Sequence, residues 1–142
     1  LRIDAVPAAH ERLQRDPRTG LYSCLSFLVR GNGCTLLHAG DTAYGEHFKE
    51  IRERFDIDVA FLPIGSYRPQ IIMRPNHLNP PEAVRAFFDL GAKTLVPIHY
   101  GTFRLSDEPL DEPILWFNEV TEQANWARVL GIGEVYSFDS SP

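Results

Sequence analysis

The chain has 142 residues, 44% of them apolar, which is enough for one domain with its own core and too little for a second complete one. A formal net charge of −5 with no run of Lys or Arg argues against a surface built to hold nucleic acid by neutralising phosphates. The longest uncharged apolar stretch, VAFLPIGSY, falls far short of the roughly 20 residues a membrane helix needs, and the first residues lack a signal-peptide pattern, so a cytoplasmic protein is expected.

LRIDAVPA alternates apolar and polar side chains like a strand, with no turn or cap ahead of it, and reads as a chain that starts inside a fold. YSCLSFLVR (22–30), the turn GNG (31–33) and CTLLHAG (34–40) predict a hairpin, since Gly and Asn accept the positive φ that tight turns require. A turn near Asn32 sets Cys24 opposite Gly40 rather than Cys34; no disulfide is expected, and a reducing compartment fits. In GEHFKEIRERF, Phe48, Ile51 and Phe55 recur at helical spacing opposite Lys49, Glu50, Glu53 and Arg54. DVAFLPI (58–64) has the character of a buried strand. A helix then starts at the N-cap Asn79 with Pro80 in first position and stops at Gly91. KTLVPIH (93–99) is the next strand, followed by a loop, a long helix over 112–130 and a last strand over 134–139. Strands alternating with helices predict an α/β layered fold.

In such a fold the polar groups just beyond the strand ends gather in one crevice. His10 follows the first strand, Asp41 follows the strand 34–40, and His99 closes the strand 93–98. A single His after a strand is commonly a hydrogen-bonded loop residue, and an Asp ahead of a helix can cap it. The helix after Asp41 is expected to start two or three residues later, which weakens the cap, and the combined N and O donors suit zinc or a similar divalent ion. Tyr67, Arg68, Arg74 and His77 share one loop. Guanidinium groups there suit a phosphate or carboxylate, with a solvated loop as the alternative. His38 reads as a packed or ligand-supporting group, His47 as a water-facing residue, and Trp116, Phe117 and Trp126 as core on the long helix.

VPAAH, LLHAGDTAY, FLPIGSYRPQIIMRPNHLNPPEAV and LVPIHYGTFRLSDEPLDEP together resemble the later half of the metallo-β-lactamase superfamily, from about Val6 to Pro113. Within it the segments most resemble the phospholipase D type that hydrolyses N-acylphosphatidylethanolamine, with ascorbate 6-phosphate lactonases as relatives. The resemblance implies half of a four-layer αββα domain with a mixed sheet and flanking helices, spanning 1–142. It implies metal ligands at His10, Asp41 and His99, with Asp41 bridging two divalent ions, zinc or alternatively manganese, whose bound hydroxide attacks the substrate. It places His77 in the substrate pocket, where it can stabilise a phosphoryl oxygen or pass a proton. The family motif H-x-H-x-D-H is absent from the five histidines here, so the expectation is a site completed by an upstream half, by another chain or by a homo-oligomer. The implied activity is metal-dependent hydrolysis of a phosphodiester or ester in a small-molecule or lipid phosphate. The alternatives are a lactonase on a sugar acid phosphate and a non-catalytic half-domain that binds a partner.

Overall fold

The computed structural model describes residues 1–10 and 24–137. Five strands form one sheet in chain order: β1 (Arg2–Pro7), β2 (Leu25–Gly31), β3 (Cys34–His38), β4 (Val59–Pro63) and β5 (Thr94–Ile98). The first three are antiparallel neighbours, whereas β3, β4 and β5 run parallel. Parallel neighbours need crossovers. Helix α1 (His47–Arg54) links β3 to β4, and α2 (Gln70–Met73) and α3 (Pro80–Leu90) link β4 to β5. α4 (Glu112–Thr121) follows β5. The mixed α/β sheet with flanking helices is the expected fold class.

Strand alternation gives the sheet two unlike faces. Leu28, Leu37, Ala60, Leu62 and Leu95 lie on one face and are fully buried. There they join Phe48 and Ile51 of α1, Ala83, Ala86, Phe87 and Leu90 of α3, and Phe117 of α4 in the core. On the opposite face Ile3, Phe27 and Leu25 remain 62%, 45% and 47% exposed. α3 is fixed by local signals: the Asn79 side chain accepts from the Glu82 amide, Glu82 returns a bond to the Asn79 amide, and Gly91 ends the helix at φ 63°.

Four sequence expectations are corrected. The hairpin turns on two residues rather than three, because Asn32 (φ 51°) and Gly33 (φ 75°) both take the left-handed region and Gly31 pairs with Cys34. That moves the register by one residue, although both cysteines are free as expected. α2 is a short helix inside what reads as loop. α4 ends at Thr121 instead of reaching 130: Glu122 and Gln123 turn left-handed, and the chain then runs beside β5, bonding through Trp126 O and the Arg128 amide to Leu95. This carries Trp126 off the helix and stacks it on Phe87. The expected last strand does not form over 134–137, and its residues 138–139 lie outside the described residues, as do 22 and 23 of the first hairpin strand.

Candidate metal centre

Two stretches of chain are stitched together beside the sheet. The Thr42 hydroxyl, fully buried, accepts from the Ala9 amide at 3.0 Å, and the Ala43 amide donates to the Ala9 carbonyl. This fastens the segment after β1 to the segment after β3, so His10 stands beside Asp41. Gly40 makes the turn out of β3 at φ 64°, a conformation glycine adopts without steric cost. α1 begins only at His47 with Glu46 in the cap position, so Asp41 caps no helix.

At the end of β5, His99 takes φ 60°, a left-handed conformation unusual for a non-glycine residue. Its carbonyl is crowded by Gly65: a Cβ at position 65 would lie 2.3 Å from that oxygen. Glycine lets the end of β4 pass this close to the histidine.

These backbones bring four side chains into one cluster. Nε2 of His99 lies 3.2 Å from Oδ1 of Asp41. His10, Asp41 and His77 each offer a donor atom, and the three atoms lie within 4.8 Å of one another. The His77 ring meets those of His10 and His99 edge-on, with centroids 5.1 and 5.4 Å away. His77 is buried, and its Nδ1 has no hydrogen-bond partner among the described residues. Burial, reinforced by His99, pushes its pKa down to about 4, so the ring is neutral at pH 7. Imidazole nitrogens gathered around one carboxylate fit a divalent cation of zinc type. Cys24 lies close by, its Sγ on the His10 carbonyl; burial, and the Asp41 charge after it, raise its thiol pKa.

The remaining loop residues sit differently. Tyr67 is 2% exposed, and its hydroxyl donates to Glu112 Oε1 at 2.7 Å; burial, then that bond, pushes its pKa up. Arg68 pairs with Glu112 at 2.9 Å and Arg74 with Glu82 at 3.3 Å. Arg74 and His77 line a polar hollow of about 220 Å³, while His99 borders a separate groove of about 270 Å³ against loop 100–113. His38 is exposed on the open face of the sheet, stacked on Phe61, which corrects its reading as packed. His47 is half-buried rather than water-facing, because Thr42 engages its Nε2 at 3.2 Å and its ring lies 4.1 Å from that of Phe48. Sequence reasoning passed over Glu108, a buried carboxylate that accepts from the amides of Ser66, Tyr67 and Arg68 and from the Ser106 hydroxyl.

Residues 1–100 match the family described as the beta-lactamase superfamily domain. The chain is 40% identical over 117 residues to the mitochondrial N-acyl-phosphatidylethanolamine-hydrolyzing phospholipase D of Saccharomyces cerevisiae, covering 78% of this chain and 25% of that protein. It is 30% identical over 144 residues to a UPF0173 metal-dependent hydrolase of Methanoculleus marisnigri, covering all of this chain and 59% of the relative. Among solved structures, Igni18, a metallo hydrolase from the archaeon Ignicoccus hospitalis, superposes with a TM-score of 0.61 at 26% identity, over 90% of this chain and 48% of that one. The chain thus spans between a quarter and about three fifths of these relatives, and it belongs to the beta-lactamase superfamily.

Proposed function

We propose that the chain carries part of the active site of a metal-dependent hydrolase of phosphodiester or ester bonds, with a phospholipase D-like substrate. The observation that carries this reading is the convergence of His10, Asp41, His77 and His99 at one edge of the sheet. His10, Asp41 and His99 would hold the cation, and the expected pair of ions needs ligands beyond these three. A bound zinc or manganese would lower the pKa of a coordinated water and stabilise negative charge as it develops.

The chain's own residues do the rest. Asp41 offsets cationic charge and orients His99 through their 3.2 Å contact. His77, neutral at pH 7, offers an N–H to a phosphoryl oxygen, and negative charge gathering on the phosphoryl group would make its ring easier to protonate. Arg74, itself exposed, lines the hollow with His77 and pairs with a partly buried Glu82, so a substrate phosphate there would draw on its guanidinium; Arg68 pairs with Glu112 outside that hollow. Tyr67 supports this loop from beneath, holding Glu112 in place for Arg68.

A second reading, a half-domain that needs a partner layer, is favoured by Ile3, Leu25 and Phe27 standing exposed on an otherwise ordered sheet face. The two are compatible: residues 1–142 would supply one half of a domain whose other half covers that face. A reducing compartment suits the two free cysteines. The test is hydrolysis by the complete protein loaded with zinc, offered N-acylphosphatidylethanolamine and a sugar acid phosphate lactone side by side. Phosphodiester turnover is expected; turnover of the lactone alone would move the assignment to the lactonase reading, and no turnover of either would refute both substrate readings.

A further inference from the structure

Glu108 belongs to none of the groups assigned above, yet it is among the most heavily engaged side chains around the site. It is 4% exposed. Its Oε1 accepts from the Ser66 amide at 2.6 Å, the Tyr67 amide at 3.3 Å and the Ser106 hydroxyl at 2.6 Å; its Oε2 accepts from the Arg68 amide at 3.0 Å. No Lys or Arg side chain pairs with it among the described ion pairs; backbone dipoles and one hydroxyl carry its charge instead. Such an arrangement is costly unless the geometry is kept, because every lost donor leaves buried charge uncompensated.

The three amides form a strap from β4 to α2, and the strap has two ends that matter. At its first end, Gly65 presses against the His99 carbonyl, and the Ile64 amide bonds Ile98 O at 3.0 Å. At its second end, Pro69 opens α2, and the His77 amide bonds Met73 O, the last residue of that helix. Ser66, inside the strap, sits at φ 64°, a conformation that needs holding. A shift of the strap therefore moves His99 and His77 relative to one another.

We infer that Glu108 is a positioning residue: by gathering the amides of Ser66, Tyr67 and Arg68 it sets the placement of His77 against His99. This deepens the hydrolase reading, but its first test does not depend on that reading. Glu108→Gln keeps the shape while removing the charge and turning one acceptor into a donor that faces an amide. Ser106→Ala removes one donor and leaves the strap amides in place.

The experiment records imidazole correlation NMR spectra of the full chain for the parent and both variants, with no metal added. His77 and His99 signals are expected to shift in Glu108→Gln and to shift less in Ser106→Ala, while His38 and His47, which lie away from the strap, stay fixed. Unmoved His77 and His99 signals in folded Glu108→Gln, or equal movement of all assigned histidines, would overturn the inference. In the complete zinc-loaded protein, Glu108→Gln is expected to lower kcat roughly 10- to 100-fold, the range seen when groups that hold a site are removed. An inactive parent would count against the hydrolase and leave the spectra to decide on Glu108.

Discussion

The carbonyl of His99 and the α-carbon of Gly65 approach so closely that a methyl group on residue 65 would fall 2.3 Å from the oxygen. The contact joins the ends of two parallel strands at the position where the cluster histidine leaves the sheet. Gly65→Ala must displace the His99 backbone or the chain just after β4, and overpacking of this kind costs about 1–3 kcal/mol. Urea unfolding should show that loss, and zinc affinity should fall with it.

Among the described residues Asp41 is the one carboxylate in the cluster, so its charge bears most on whether a cation is held. Asp41→Asn should weaken zinc binding by more than the roughly 10- to 100-fold that outer supporting groups account for. Competition against a chromophoric chelator measures the change. Unaltered affinity would remove Asp41 from the ligand set.

His77 is assigned to substrate rather than to metal retention. His77→Ala in the complete protein should lower kcat by about 10²- to 10⁴-fold, the usual span for a general acid or base, with zinc content per chain unchanged by atomic emission. Loss of zinc in step with activity would instead make it a ligand.

Glu108 gives the fold a distinct acid limb. Burial alone would raise its pKa, but the Ser106 hydroxyl and the amides of its own residue, Arg68 and Ser66 outweigh burial and hold it below the ordinary 4.5. A depressed carboxyl binds fewer protons in the folded than in the unfolded state. Its stabilisation is therefore complete above pH 4.5 and drains away as the pH falls through the folded value. Unfolding free energies between pH 7 and 3 should drop at the acid end, and Glu108→Gln should flatten that drop.

The parts of this molecule that announce themselves in sequence are those set by short-range chemistry. Asn79, Pro80, Glu82 and Gly91 bound α3 as their residue types dictate, and His10, Asp41 and His99 could be placed at strand ends because alternation marks where each strand stops. The features that escaped depend on distant partners. Glu108 reaches amides 40 to 42 residues earlier, a link with no local pattern. α4 stops at Thr121 because Glu122 and Gln123 turn left-handed so that 126–128 can run beside β5, a tertiary demand that overrides helix propensity. His47 turns inward for a hydroxyl five residues behind it.

The open sheet face makes its own forecast. Ile3, Leu25 and Phe27 together form an apolar patch that water covers poorly, so the 142-residue chain should self-associate as its concentration rises. Sedimentation velocity of Phe27→Lys should show the association reduced, with the far-UV spectrum intact.

His10, Asp41 and His99 are expected to hold one cation where these strand ends meet. Zinc-edge anomalous diffraction from crystals of the chain grown with zinc tests it most directly. A peak is expected within about 2.0–2.2 Å of donor atoms from His10, Asp41 and His99. A peak bonded instead to His38, His47 or a cysteine, or three side chains that bind nothing in zinc-saturated crystals, would contradict it.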